Sequence, residues 1–169
     1  LYRFFCLYLH PYSVERKKMD KNVIKQIILW QQEFVGKVRL QNRSVSFDEN
    51  ANYVLVGIRR AGKSYILYQH IQHLVAQGHS REEILFVNFE DERITDIKKE
   101  ELHLIIEAYR ELFSYEPIIF LDEIQNVDGW EHFARRLADE KYRVFITGSN
   151  AHMLSREIAS TLGGRYLTK

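Results

Sequence analysis

Gly57-Ile58-Arg59-Arg60-Ala61-Gly62-Lys63-Ser64 is the segment that most narrows what this chain can fold into. It fits the pattern G-x-x-x-x-G-K-[ST], and its flanks suit that pattern. Asn52-Tyr53-Val54-Leu55-Val56 before it reads as a buried strand, and Ser64 to Gln77 after it reads as a helix. A strand feeding a glycine loop into a helix N-terminus turns backbone N–H groups toward one point and adds the positive end of the helix dipole. Such a nest holds phosphate. Lys63 then reaches the β- and γ-phosphates as a point charge, and the Ser64 hydroxyl is a ligand for Mg²⁺. The expected nucleotide-contacting set is Gly57, Ile58, Arg59, Arg60, Ala61, Gly62, Lys63, Ser64 and Tyr65.

Pro117-Ile118-Ile119-Phe120-Leu121-Asp122-Glu123 supplies the complement. A continuous apolar run of this length suits a strand buried on both faces of a parallel sheet. Ligands of open α/β sheets bind at the carboxyl ends of the strands, where the two acids fall. Asp122 is the expected Mg²⁺ ligand beside Ser64, and Glu123 the general base that polarises an attacking water. A small-molecule kinase needs no water-activating glutamate there, so the pair favours hydrolysis. Arg143 to Thr147 reads as a further buried strand ending in Gly148-Ser149-Asn150. If this strand lies between the other two, Asn150 or Ser149 meets the γ-phosphate or the water; either residue equally suits a helix cap. Arg165, after Gly163-Gly164, is either a surface arginine or a guanidinium that stabilises phosphoryl-transfer charge, supplied from a neighbouring subunit.

The rest of the chain frames this site. With 169 residues, a single sizeable core is expected. Its 24 basic and 23 acidic side chains leave a net charge of +1, which marks no nucleic-acid surface, although DNA remains open. A lone cysteine, Cys6, excludes an internal disulfide framework and fits a cytoplasmic setting. No apolar run approaches a membrane span. Residues 1–18 are aromatic and then charged, unlike a signal peptide; they read as an extension before a functional start at Met19, as the inside of a longer reading frame, or as a short anchoring or docking segment. Residues 19–50 read as a helix capped by Asp20, with Val23, Ile24, Ile27, Ile28, Trp30, Phe34, Val35 and Val38 on one broad apolar face, followed by a polar connector from Gln41 to Asn50. Residues 51–169 alternate strand and helix, with further strands near Ile84–Asn88 and from Tyr166 and helices near Lys98–Phe113, Trp130–Glu140 and Ala151–Leu162. That alternation predicts an α/β fold with a mostly parallel sheet and helices on both faces, a three-layer core. His70, His73 and His79 lack the additional spaced ligands of a zinc site.

Taken together, "VGIRRAGKSY", "FVNFEDERI", "IIFLDEIQNVDGWEHFARRLAD" and "VFITGSNAHMLSREIASTLGGRY" resemble the AAA+-type P-loop ATPases predicted in bacteria and archaea, over residues 19–166. The resemblance implies ATP and Mg²⁺ as ligands, Gly57 to Ser64 as the Walker A loop and Asp122-Glu123 as the Walker B acids. It also implies Asn150 or Ser149 at the sensor-1 place and Arg165 at the arginine-finger place, acting in trans in a homo-oligomer. Lys63, Glu123, Asn150 and Arg165 are then the catalytic set. Such proteins usually continue into a helical lid and an uncharacterised or nuclease-like C-terminal domain, and Lys169 falls where the last core strand is expected to begin. Two functions share these residues: an ATPase coupling nucleotide state to a partner or C-terminal domain, and a slow nucleotide-dependent switch. A transporter signature is missing before the second acidic strand, and no N-K-x-D string for reading guanine is present.

Overall fold

The computed structural model describes residues 18–41, 43–149 and 160–169. The described elements, in chain order, are α1 (Lys21–Lys37), β1 (Asn52–Gly57), α2 (Lys63–Ala76), β2 (Ile84–Asn88), α3 (His103–Leu112), β3 (Ile118–Asp122), α4 (Trp130–Asp139), β4 (Arg143–Ser149) and β5 (Tyr166–Thr168). The five strands form one parallel sheet in the order β2-β3-β4-β1-β5. Strand β4 therefore lies between β1 and β3, the placement on which the expected γ-phosphate contact depends. The expected helix from Lys98 is a 3₁₀ turn, Lys99–Glu101, followed by α3. Of the expected helix Ala151–Leu162, residues 160–162 are helical and the rest lie outside the described residues. The strand expected from Tyr166 is present as β5, with Tyr166 opposite Asn52, so Lys169 follows a strand rather than opening one, and its N–H donates to Val54 O.

Successive strand residues face opposite layers. Val54, Ile119, Leu121, Val144 and Ile146 pack with α1, α3 and α4 on one side. Tyr53, Leu55, Phe86, Phe120 and Phe145 pack with α2 on the other. On that second face four rings lie in register across the sheet, Phe86 beside Phe120, Phe120 beside Phe145, and Phe145 beside Tyr53. Phe120 and Phe145 stack at 4.8 Å and 9°, and Tyr53 and Phe145 at 5.8 Å and 12°. Each such buried ring is worth about 1.5–3 kcal/mol in area removed from water, so this ladder pins the register that brings the strand ends together.

Helix α1 starts at Asp20, whose carboxylate accepts from the Asn22 N–H at 2.8 Å. It covers the edge of β2. The buried Gln31 accepts from the Asn88 N–H at 2.9 Å, and Gln32 donates to Ile84 O at 2.5 Å. Two amide side chains thus satisfy backbone groups that an edge strand would leave open. The broad apolar face splits: Ile24, Ile27, Ile28 and Val35 are buried, whereas Trp30 and Phe34 are half exposed and stack on each other at 5.5 Å. The connector is less polar than its composition, because Phe47 packs 4.9 Å from Tyr53 and 5.2 Å from Phe145.

Candidate nucleotide site at the carboxyl ends of the strands

Gly57 ends β1, Asp122 ends β3 and Ser149 ends β4, with Ser149 directly opposite Gly57. The glycine loop arches from Gly57 to the first turn of α2. Arg60 at φ 64° and Gly62 at φ 81° both take left-handed backbone, the kind of local turn from which anion-binding nests of backbone N–H groups are built. A Cβ on Gly62 would also stand 2.7 Å from the Arg43 guanidinium, which donates to Ala61 O at 3.0 Å. Arg43 is itself clamped from α2, since the Gln69 side chain bonds both its N–H (2.9 Å) and its carbonyl (2.8 Å). The connector is thereby tied to the outside of the loop.

Lys63 is only 6% exposed. Its ammonium donates to Gly57 O at 3.3 Å and Ile58 O at 3.2 Å and lies 3.5 Å from Glu123 Oε1. Lys63 thus staples the start of the loop to the helix that follows. Ser64 donates its hydroxyl to Asp122 Oδ1 at 3.1 Å. Asp122 is fully buried, and Thr147 donates a second hydroxyl to the same oxygen at 2.5 Å. Burial pushes the Asp122 carboxyl up to about 6; the bonds from Thr147 and Ser64 oppose the rise, and the nearby Glu123 and Glu90 add to it. Asp122 Oδ2 is buried with no hydrogen-bond partner among the described residues.

That orphaned oxygen tests the site for a cation. A buried carboxylate oxygen without a donor is costly alone, and a hard divalent ion or its bound water removes the cost. With the Ser64 hydroxyl on the other oxygen, the donor set is all oxygen and sparse, as suits Mg²⁺, which keeps most of its waters. The residues present therefore fit the ion.

Glu123 follows in left-handed backbone at φ 54°, a conformation worth roughly 1–3 kcal/mol of strain in a residue with a Cβ. Thr147 offsets part of it by accepting the Glu123 N–H at 3.0 Å. The carboxylate turns back over the loop, Oε1 toward Lys63 and Oε2 accepting from Gln125 Nε2 at 2.6 Å. Thr147 thus holds both acids. Its one signal in the sequence is a hydroxyl that directly follows the apolar run Val144-Phe145-Ile146.

Other expected site residues are spread around the loop. Ile58, Arg59 and Tyr65 are exposed, and Arg59 pairs with Glu90 at 3.4 Å. Asn150 lies outside the described residues. Arg165 is not brought to its own loop. It stands just before Tyr166, which pairs with the first residue of β1, at the opposite end of the sheet from Gly57. There its Nε donates to Asp139 Oδ1 at 2.6 Å and holds that carboxyl below its usual range. A hollow of about 400 Å³ adjoins the loop between Val45, Leu55, Val56, Ile66 and Lys169. Larger hollows, of about 630 Å³ beside His70 and about 860 Å³ between α3 and α4, touch neither the loop nor the acids. His70 sits instead among Phe47, Phe120 and Phe145, and burial lowers it to about 4.

The phosphate loop, paired acids and strand order are those of a P-loop nucleotide-binding fold. Residues 49–169 match the family model described as AAA domain, and the chain belongs to this family of AAA+-type P-loop ATPases. It is 37% identical over 152 residues to an uncharacterized protein of Methanocaldococcus jannaschii, covering 88% of this chain and 33% of that one. It is 40% identical over 116 residues to an uncharacterized protein of Haemophilus influenzae, covering 68% and 29%. The chain thus spans about a third of the length of these relatives. A crystal structure of Cdc6p from Pyrobaculum aerophilum is similar at TM-score 0.42 and 15% identity, over 93% of this chain and 47% of that chain.

Proposed function

We propose that this chain is a Mg²⁺-dependent module that binds and hydrolyses ATP and passes its nucleotide state to a partner or to a C-terminal region. The observation that carries the reading is the buried Asp122–Ser64 pair, with one carboxylate oxygen left open, set beside Lys63 and Glu123 on a glycine loop. In this reading the loop N–H groups and Lys63 bind the β- and γ-phosphates, and the purine base takes the hollow beside Val45 and Ile66. Asp122 and Ser64 hold the ion, which supplies charge neutralisation at the phosphates. Lys63 exchanges its two carbonyls and Glu123 for phosphate oxygens. Glu123, so released, takes a proton from water. The polar end of β4, Ser149 with Asn150 beyond it, contacts the γ-phosphate or the water. Arg165 lies too far round the sheet to serve its own loop, so its proposed role is in trans, from a second copy of the chain. Among the described residues no helix is long and apolar enough to cross a membrane, and we assign the module to the cytoplasm.

One observation favours a second reading, a slow nucleotide switch. Lys63 lies 3.5 Å from Glu123 Oε1, and turnover requires that contact to open first. Hydrolysis by the wild type and Glu123→Gln over a range of protein concentrations separates the two. The ATPase reading expects turnover that rises with concentration and is lost in Glu123→Gln while ATP binding persists. Turnover that is negligible at every concentration, with ATP bound, leaves the switch.

A further inference from the structure

Gln125 sits two residues beyond the candidate base, in the 3₁₀ turn Ile124–Asn126. That turn is firmly held. Ile124 is fully buried, the Val127 N–H donates to Ile124 O at 2.9 Å, and the Asn126 side chain donates to Phe89 O at 3.3 Å. The left-handed backbone at Glu123 lets side chains 123 and 125 face one another. Gln125 Nε2 donates to Glu123 Oε2 at 2.6 Å, while Gln125 Oε1 is buried and has no hydrogen-bond partner among the described residues. A carboxylate bonds the amide only through its N–H₂ end, so the free carbonyl is fixed as an acceptor beside the base. A buried acceptor without a donor calls for one, and the small donor this site must admit is water.

Resting on the ATPase reading above, we propose that Gln125 is the positioning residue for the hydrolytic water. Its N–H₂ group holds the Glu123 carboxylate when Lys63 leaves for the phosphates, and its carbonyl accepts a hydrogen bond from the water, whose other hydrogen faces Glu123. The water oxygen bonds to the γ-phosphorus, the bond from that phosphorus to the bridging oxygen breaks, and that oxygen leaves on ADP. The water's proton passes to the Glu123 carboxylate, and phosphate is the second product.

The test is a double-mutant cycle on the protein with Mg²⁺ and ATP, reading kcat, KM, ATP affinity and unfolding midpoint together. Gln125→Ala is expected to lower kcat by about ten- to a hundred-fold, less than the 10²–10⁴ attributed to a positioned base itself. ATP affinity and KM stay within about three-fold of the wild type, and in a Glu123→Gln background the substitution has no further effect on single-turnover rate. Gln125→Met keeps the volume and carries the same expectation should the alanine variant fail to fold. A kcat within two-fold of the wild type overturns the proposal and leaves the ATPase reading standing, as does an equal loss in both backgrounds. A wild type that binds no ATP sinks the ATPase reading itself, and this inference with it.

Discussion

Replacing Thr147 with valine removes one oxygen from the point where both acids are held. The side chain is fully buried, and its hydroxyl donates to Asp122 at 2.5 Å and accepts the Glu123 N–H at 3.0 Å. Valine keeps the volume but leaves the Asp122 carboxylate short of a bond worth about 1.5–3 kcal/mol and a backbone N–H stranded at a cost of about 1–3 kcal/mol. The added methyl returns about 0.8 kcal/mol. The net loss expected at pH 8 is roughly 2–5 kcal/mol, or a Tm lower by about 4–20 °C at this chain length. The pH dependence sharpens the test. Asp122 is already raised to about 6 by burial, so its stabilising contribution is complete in acid and lost as pH rises through that value. Deleting the largest of the bonds that oppose the rise makes the charged form still less welcome, so the deficit of Thr147→Val grows from pH 5 to pH 8. Urea unfolding in EDTA at both pH values measures it, with Thr147→Ser as a hydroxyl-keeping control. A loss under about 0.5 kcal/mol at pH 8, or a deficit larger at pH 5, refutes the reasoning.

Gly62→Ala meets positive φ and the Arg43 guanidinium at once, so ATP affinity should fall at least ten-fold; adding Arg43→Ala, read by the same titration, recovers only the steric part. Asp122→Asn removes a buried charge whose lift from 3.8 to about 6 amounts to roughly 3 kcal/mol, partly offset by a stranded amide N–H₂. Metal-free protein at pH 8 should therefore gain up to about 2 kcal/mol in urea while losing its stabilisation by Mg²⁺ with ATP. Arg165→Ala should leave ATP affinity within two-fold by titration, because the side chain is remote from its own loop, yet abolish any rise of turnover with protein concentration.

How much of this was legible before the structure follows from what each signal depends on. The glycine loop and Asp122-Glu123 announce themselves because backbone geometry and buried charge admit few residue types at those places. The strands were legible because a sheet covered on both faces needs unbroken apolar runs. Trp30 and Phe34 misled, since periodicity shows which residues share a helical face but not how wide a face is covered. Gln31 and Gln32 were silent for the converse reason: their task is set by the open edge of β2, visible only once the sheet is ordered. Thr147 and Arg43 reach the site through contacts 24 and 18 residues away along the chain, which no local pattern marks, and Gln125 meets its neighbour Glu123 only because Glu123 takes left-handed backbone.

Every role proposed above requires that the carboxyl-end site take ATP with Mg²⁺ through Lys63, Ser64 and Asp122. Calorimetric titration of ATP into the protein, with Mg²⁺ and then with EDTA, tests it most directly, with Lys63→Ala alongside. One nucleotide per chain, bound at least ten-fold more weakly in EDTA and lost in Lys63→Ala, is the expected result. ATP binding that is indifferent to both Mg²⁺ and Lys63, or no binding to the wild type, would contradict the account.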